Sequence, residues 1–273
     1  MSWGGWRVSA ASAIGTSHLK MATPCQDSHG CRLLHDARGE PILLLVVSDG
    51  AGSASRSDEG SALACATLMD CVEDFLARGG RLSAVDRPMA QSWLTQAQRR
   101  ITSRAEECGA TPRDFACTLL AAIIAPDMAA FLQVGDGAMI ASDPNGGWAW
   151  VHWPQRGEFA NTTFFITEAS ASEQLAFDMI RMPVHEVAAF SDGIESLVLH
   201  YATQSVHAPF FDKIFGPVRA LEQEGVDARL SASLERYLQS PAICERTDDD
   251  KTLVLASRRA ALLVEDTPKD SPA

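Results

Sequence analysis

Unbroken apolar runs that end in an Asp-Gly pair recur along this chain. Residues 43–47 run into Ser48-Asp49-Gly50, residues 187–190 into Ser191-Asp192-Gly193, and residues 131–134 into Gly135-Asp136-Gly137. An apolar run of strand length without polar alternation predicts a β-strand buried on both faces. Asp-Gly by itself is a common turn dipeptide. Its repetition after three buried strands indicates more than a turn, because it places three carboxylates at the rim of the core.

The strand around residues 42–48 is expected to pair with the segment before it. Residues 28–34 match it in length and the two flank a turn-rich segment, which predicts a β-hairpin. Asp27 opens the first strand and Asp49 closes the second. The two carboxylates should therefore lie at the same edge of the sheet.

A second hairpin is expected to repeat this geometry. Residues 115–124 and 129–135 flank the short turn at 125–128. Thr118, near the start of the first strand, should then lie towards the edge where Asp136 follows the second.

A third pairing would add two more acids. Residues 251–256 predict a strand that follows three consecutive aspartates, and antiparallel pairing with residues 187–191 would bring Asp249 beside Asp192. Four acids could then share one edge.

Helical spacing of apolar residues appears in the segments between the strands. It predicts one helix with Ser57 or Asp58 as its N-cap, ended by Gly79-Gly80, and a second over residues 88–108. By contrast, residues 15–18 interrupt the first strand pattern, and residues 19–27 predict a loop. Further helical patterns cover residues 194–201, 214–221 and 230–238, with an interruption at 207–211.

The order of the elements predicts the fold class. Trp148, Trp150 and Trp153 alternate after a turn at Asn145-Gly146-Gly147, which predicts a hairpin whose aromatic side chains pack on a sheet or form an exposed platform. The whole pattern predicts an α+β fold, a two-sheet antiparallel β-sandwich flanked by helix pairs. We expect a single domain over residues 1–258 and a flexible, polar tail at 259–273.

Composition narrows the classes of function. The 273 residues are 46% hydrophobic, enough for a sizeable core, and the net charge is −12. The acidic balance argues against a nucleic-acid partner and suits a cation site. Seven cysteines without a CxxC pair indicate a reducing cytosol, and the sequence predicts no secretion signal or membrane span. We expect a soluble cytoplasmic protein; the sequence does not indicate its oligomeric state.

Six motifs resemble, in order, those of the metal-dependent Ser/Thr protein phosphatases, the PPM or type 2C-like family, in its bacterial branch. They are Gln26-Asp27, Ser48-Asp49-Gly50-Ala51-Gly52, Cys117-Thr118, Val134-Gly135-Asp136-Gly137, Ser191-Asp192-Gly193 and Asp249-Asp250-Lys251-Thr252. Their order and spacing match across nearly the whole chain. The resemblance implies a β-sandwich with flanking helix pairs, in agreement with the strand pattern, and hydrolysis of phosphoserine and phosphothreonine on proteins.

The resemblance also implies a metal centre with two Mn²⁺ or Mg²⁺ ions and a third, looser one. Asp49 would bridge two ions, Asp192 and Asp249 would bind one of them, the Gly50 carbonyl and Asp27 (directly or through water) the other, and Asp136 the third. Carboxylate oxygens suit these cations. Two ions roughly 3.5 to 4 Å apart can activate a bridging water and align it with phosphorus. Asp49, Asp192 and Asp249 would then carry catalysis without a protein nucleophile.

The chain departs from the family where the substrate phosphate is bound. Many members have an arginine five residues before the equivalent of Asp27, and this chain has Ala22 there. Lys20 or His18 on the same loop could replace it, or His18 could only hydrogen-bond the loop. Ala51 stands where eukaryotic members have a histidine, so water or His18 would have to protonate the leaving alkoxide.

Three readings of function follow. The first is a Mn²⁺- or Mg²⁺-dependent phosphatase acting on a phosphorylated protein, with a cognate Ser/Thr kinase as a further partner implied by the resemblance. The second, motivated by Ala22, is a pseudophosphatase that recognises phosphoproteins without turnover. The third is a structural Ca²⁺ site. Mn²⁺-dependent hydrolysis of p-nitrophenyl phosphate distinguishes the first from the other two.

Overall fold

The protein is described by a computed structural model that covers residues 4–142, 146–157 and 163–258. The predicted tail at 259–273, residues 1–3 and Asn145 of the predicted Trp-rich turn lie outside the described residues. The described strands are β1 Arg7–Ala13, β2 Ser28–His35, β3 Pro41–Ser48, β4 Leu119–Ile124, β5 Ala129–Val134, β6 Ala138–Ser142, β7 Trp148–Trp150, β8 Ala176–Ile180, β9 Glu186–Phe190, β10 Leu199–His200, β11 Ser205–Val206, β12 Gly225–Val226 and β13 Lys251–Ser257. The described helices are α1 Thr16–Met21, α2 Ser57–Ala77, α3 Arg87–Glu107, α4 Ala171–Gln174, α5 Glu195–Val198, α6 Ala208–Arg219, α7 Ala228–Leu238 and α8 Pro241–Cys244.

The longer strands form two sheets. One has the order β12-β1-β13-β9-β6-β7 and the other β2-β3-β4-β5-β8, and apart from the parallel β1–β12 pair every pairing in them is antiparallel. The two-residue strands β10 and β11 form a separate small hairpin. Helices α2 and α3 pack together on the five-stranded sheet, and α6 and α7 pack on the six-stranded sheet. The predicted α+β sandwich flanked by helix pairs is confirmed.

The central strand β3 explains why residues 43–47 are all apolar. Leu43, Leu45 and Val47 face the core between the two sheets. Leu44 and Val46 point the other way, into the core shared with α2 and α3. Successive side chains of a strand lie on opposite faces, so a strand between two cores must be apolar at every position. The rim of this rigid strand is where Asp49 emerges.

Three predicted boundaries were wrong for local reasons. The strand predicted from residue 115 starts at Leu119, because residues 112–115 form a 3₁₀ turn closed by a reciprocal Thr111–Asp114 capping box. The predicted break and loop at 15–27 contain the short helix α1. The N-cap of α2 is Arg56, without a side-chain hydrogen bond to the helix, rather than Ser57 or Asp58.

The helices after β9 also differ from the prediction. Instead of a helix over 194–201, α5 is a single turn that runs into β10. The interruption predicted at 207–211 is the start of α6. Pro209 lies in the first turn of this helix, where a backbone N–H has no partner within the helix, so the proline does not break a helical hydrogen bond. Among the described residues, no helix is both long and apolar enough to cross a membrane.

Candidate metal centre

The register of the β2–β3 hairpin places the first two predicted acids side by side. Ser28 pairs with Ser48, so Asp27 and Asp49 flank the same end of the hairpin, as the sequence predicted. In the other sheet, Leu253 pairs with Phe190, and the Ser191 backbone N–H donates to the Thr252 carbonyl at 3.2 Å. The ends of both sheets therefore carry their aspartates to one edge of the sandwich.

The backbone of Asp49 is held by Thr118 from the neighbouring strand. The Thr118 N–H donates to the Asp49 carbonyl at 2.8 Å, and the Asp49 N–H donates to Thr118 Oγ1 at 2.9 Å. Ser48 Oγ donates to the Thr118 carbonyl at 2.5 Å. These bonds fix the point at which the Asp49 side chain leaves the sheet. Thr118 therefore lies near the acidic edge, as predicted, and positions the backbone of Asp49 there.

Gly50 follows at a place where the chain is tightly enclosed. It bridges to Cys117, and a Cβ at this position would lie 2.6 Å from the Gln26 carbonyl oxygen and 2.8 Å from Ser57. Only glycine lets the backbone pass here. This close approach keeps the Asp49-Gly50 turn beside the strand that begins after Asp27.

Asp27 joins the two sheets through its side chain. Its Oδ2 accepts hydrogen bonds from Ser191 Oγ at 2.7 Å and from Thr252 Oγ1 at 2.8 Å. Its Oδ1 is buried and has no hydrogen-bond partner. One oxygen therefore positions the carboxylate, and the other remains available for a ligand.

The acids at the edge strongly influence each other. Burial, followed by the charges of Asp27 and Asp192, raises the pKa of Asp49 well above its ordinary value. Burial also raises the pKa of Asp27 to about 7. The hydrogen bonds from Ser191 and Thr252 lower this pKa, whereas the charges of Asp250 and Asp192 raise it further.

Asp136 and Asp249 belong to the same group. Burial and the charge of Asp192 raise the pKa of Asp136 to about 7. Partial burial and, again, the charge of Asp192 raise the pKa of Asp249. Asp192 thus lies close enough to influence the other four predicted acids. The strand pairings predicted that Asp27, Asp49, Asp192 and Asp249 share one edge, and in the structure these four and Asp136 lie close enough together that the charge of Asp192 shifts the pKa values of the others.

The donor set fits divalent cations that prefer oxygen. Asp27 Oδ1 and Asp192 Oδ1 are buried without hydrogen-bond partners, and several carboxylates crowd one edge, an arrangement that cations neutralise. In the part of the chain that is described, no three His, Cys, Asp or Glu side chains already have the spacing of a preformed metal cage.

The loop before β2 is tied to the edge by Asp250. Asp250 Oδ1 accepts from the Gly15 N–H at 2.6 Å, Oδ2 accepts from the Gln26 N–H at 2.5 Å, and His18 Nδ1 lies 2.9 Å from Oδ2. The His18–Asp250 distance is that of an ion pair, although the angle falls outside hydrogen-bond geometry. His18 is therefore buried in the loop. Of the two roles predicted for it, this geometry favours holding the loop.

Lys20 and Ala22 lie on the outside of the same loop. Lys20 is exposed, and Ala22 caps α1 in the left-handed region at φ 54°. Lys20 lies on the exposed surface of α1, and among the described residues no hydrogen bond or ion pair joins it to the acids.

Two side chains at the edge were missed by the sequence analysis. Glu195 is buried one helical turn after Asp192, and Arg156 Nη2 lies 3.5 Å from Glu195 Oε1. Burial raises the pKa of Glu195 to about 8, with Arg156 opposing this rise and Asp136 adding to it. The spacing of Glu195 from Asp192 could have indicated its place. Arg156 gave no local signal, because only tertiary packing brings it here.

Comparison with known proteins places this arrangement in a family. The family profile of protein phosphatase 2C matches residues 14–239. Serine/threonine-protein phosphatase 3 of Escherichia coli (strain K12) is 39% identical over 251 residues, which cover 92% of this chain and 98% of that protein. The chain belongs to the protein phosphatase 2C family, the PPM family that the motifs indicated.

Solved structures share the fold at low sequence identity. The serine/threonine phosphatase Stp1 from Staphylococcus aureus has a TM-score of 0.58 at 14% identity, with 94% of this chain and 97% of that chain covered. The catalytic domain of the phosphatase PstP, in complex with two manganese ions, has a TM-score of 0.59 at 14% identity and coverages of 92% and 97%. These similarities support the fold of the whole described domain.

Proposed function

We propose that this protein is a metal-dependent phosphatase that hydrolyses phosphoserine and phosphothreonine on proteins. The observation that carries the proposal is the convergence of five aspartates from both sheets on one edge of the sandwich, in a chain of the protein phosphatase 2C family. The 39% identity to a serine/threonine phosphatase over nearly the full length supports the same reaction class. A phosphorylated protein is the substrate, and a cognate Ser/Thr kinase is a proposed further partner.

The proposed centre holds two Mn²⁺ or Mg²⁺ ions, with a third more weakly bound. The proposed ligands are Asp27, Asp49, the Gly50 carbonyl, Asp136, Asp192 and Asp249. These residues would hold the ions, which would supply an acidified water and neutralise the phosphate oxygens. The solved PstP structure with two manganese ions supports this choice of metal.

The residues of the chain itself have positioning roles. Thr118 holds the Asp49 backbone, and Ser191 and Thr252 orient Asp27 through one oxygen. Asp250 fixes the loop that precedes Asp27. Asp49, Asp192 and Asp249 would act through the ions, and no protein nucleophile is required. Because His18 is buried against Asp250, water is the better donor of the proton to the leaving alkoxide.

The seven cysteines support a reducing compartment. All seven are free thiols in the structure. Disulfides persist in oxidising compartments and are rare in the cytosol. We therefore propose that the enzyme acts in the cytoplasm.

Hydrolysis of p-nitrophenyl phosphate and of a phosphothreonine peptide tests the function. The wild type should require Mn²⁺ or Mg²⁺, whereas Asp49→Ala and Asp192→Ala should lose at least roughly 100-fold in activity, the scale of several kcal/mol of transition-state stabilisation. Asp127→Asn, in the exposed β4–β5 turn, serves as a matched control and should keep full activity. A wild type as inert as Asp49→Ala with every metal would refute the phosphatase proposal and support a phosphoprotein-binding role.

A further inference from the structure

The acidic edge needs a cation that can bind an incoming phosphate monoester. The chain has a net charge of −12, and five aspartates surround the proposed reaction site. The position of the usual phosphate-binding arginine is Ala22, Lys20 is exposed on α1, and His18 is buried against Asp250. In addition to the proposed ions, a side chain from a different element could therefore contact the phosphate.

Arg156 is held next to the edge by its neighbour in sequence. The Gly135 N–H donates to Gln155 Oε1 at 2.8 Å, and the Gln155 N–H donates to the Gly135 carbonyl at 3.2 Å. Gln155 Nε2 also donates to the Gln174 carbonyl at 2.7 Å. Gly135 directly precedes Asp136, so these bonds fix the backbone of Arg156 close to a proposed metal ligand.

The guanidinium of Arg156 is positioned on two sides. Its central carbon lies 4.2 Å from the centroid of the Tyr201 ring, and Nη2 lies 3.5 Å from Glu195 Oε1. Tyr201 in turn packs edge-on against Trp153, with centroids 5.3 Å apart. A guanidinium has five N–H donors in a planar fork. Because 49% of the side chain remains exposed, part of that fork can bind a ligand.

The charge of Arg156 acts on the edge itself. Nη2 of Arg156 lies 3.5 Å from Oε1 of Glu195, which follows the proposed ligand Asp192 by three residues. Because Glu195 is buried beside the end of β9 that carries Asp192, this contact holds the guanidinium next to the acidic edge.

We propose that Arg156 binds the phosphoryl oxygens of the substrate, held in place by the Tyr201 ring and by Glu195. This inference rests on the proposed phosphatase function. The free donors of Arg156 would form paired, charge-assisted hydrogen bonds with two phosphate oxygens, a geometry that a lysine cannot reproduce. The phosphate contact is thereby supplied from the segment after β7 instead of from the loop before β2.

Inorganic phosphate is the probe for this role. We would measure its affinity for the Mn²⁺-loaded protein by calorimetry, and its inhibition of p-nitrophenyl phosphate hydrolysis, in wild type, Arg156→Gln and Arg156→Lys. Loss of a charged hydrogen-bond pair should weaken phosphate binding roughly 10- to 100-fold in Arg156→Gln and less in Arg156→Lys. KM should rise by a similar factor while kcat changes less, and the affinity for Mn²⁺ should stay within roughly threefold.

Arg99→Gln is the matched control, because Arg99 is an exposed arginine on α3, remote from the edge. It should bind phosphate as the wild type does. Unchanged phosphate affinity in Arg156→Gln would overturn the inference, and so would a parallel loss of Mn²⁺ affinity, since Arg156 would then support the metal ligands. If Arg156→Gln does not fold, the phosphate affinity of Arg156→Lys is compared with that of the wild type, and an unchanged affinity would overturn the inference. An inert wild type would refute the proposed function alone, because calorimetry still reports on Arg156.

Discussion

His18 Nδ1 lies 2.9 Å from Asp250 Oδ2, and both side chains are almost completely buried. Asp250 also accepts hydrogen bonds from the backbone of Gly15 and Gln26. Its carboxylate therefore connects the β13 end of the site to the loop before β2. This contact links a histidine of α1 to a residue next to the proposed ligand Asp249.

Replacement of His18 should loosen this connection. His18→Ala removes a polar partner of a buried carboxylate and leaves a cavity, so the free energy of unfolding should fall by about 2 kcal/mol. Urea unfolding of the metal-free protein measures the change. His35→Ala, at an exposed position at the end of β2, should change it by less than about 0.5 kcal/mol. Equal effects of the two substitutions would contradict the structural role of His18.

Gly193 should tolerate no side chain. A Cβ there would collide with the Asp250 carbonyl oxygen. Gly193→Ala should therefore destabilise the protein by about 1–3 kcal/mol, because a packed backbone must move, and it should reduce hydrolysis by displacing Asp192. Gly52→Ala, where no atom lies within 4 Å of the added Cβ, should be nearly neutral in thermal unfolding. A neutral Gly193→Ala would show that the turn after β9 is not packed as described.

Removing one partner of the buried Glu186–Arg219 ion pair should cost far more stability than removing one partner of an exposed pair. Arg219 Nε and Nη2 donate to the two Glu186 oxygens at 2.6 and 2.7 Å, and Glu186 is fully buried. Arg219→Leu leaves that charge without its guanidinium and should cost about 3–5 kcal/mol. Arg78→Leu breaks the exposed Arg78–Asp74 pair and should cost less than about 1 kcal/mol. Denaturant midpoints of the two variants test the contrast.

The metal-free protein should lose stability as the pH rises. The pKa values of Asp27 and Asp136 are raised to about 7 by burial, from an ordinary value of 3.8 that the unfolded chain keeps. Between these values the folded state binds more protons than the unfolded state, so its stability falls as pH increases from about 4 to 7. Urea unfolding in EDTA at pH 5 and pH 7.5 measures this fall. Higher stability at pH 7.5 would contradict the crowding of buried carboxylates.

Asp49→Asn should separate stability from function. In EDTA it removes one of several mutually repelling carboxylates and should raise the free energy of unfolding by about 1–2 kcal/mol. In Mn²⁺ it should gain little, whereas the wild type should gain about 2.7 kcal/mol at a metal concentration one hundred times the Kd. Asp127→Asn should behave as the wild type in both buffers. A less stable Asp49→Asn protein in EDTA would argue against repulsion at the edge.

The sequence predicted those features that depend on local pattern. The apolar run at residues 43–47 and the length match of β2 and β3 were enough to place Asp27 beside Asp49, because hairpin register follows from strand length and turn. Two-faced burial of β3 was likewise readable from the absence of polar alternation.

Features that depend on packing between distant segments could not be predicted. Arg156 comes to the edge through the Gln155–Gly135 hydrogen bonds, which leave no periodic signal in the sequence. The burial of His18 depends on α1, a six-residue helix whose ends have no side-chain cap to mark them. The single-turn α5 gives way to β10 because residues 199–200 pair with β11, a tertiary preference that overrides the helical pattern.

The central claim is that aspartates from both sheets form one divalent-metal centre. Anomalous diffraction from a crystal soaked in Mn²⁺ tests it most directly. Two strong manganese peaks are expected on either side of the Asp49 carboxylate, with Asp192 and Asp249 next to one and Asp27 and the Gly50 carbonyl near the other. Absence of manganese from this edge, or peaks bound by other residues, would contradict the account.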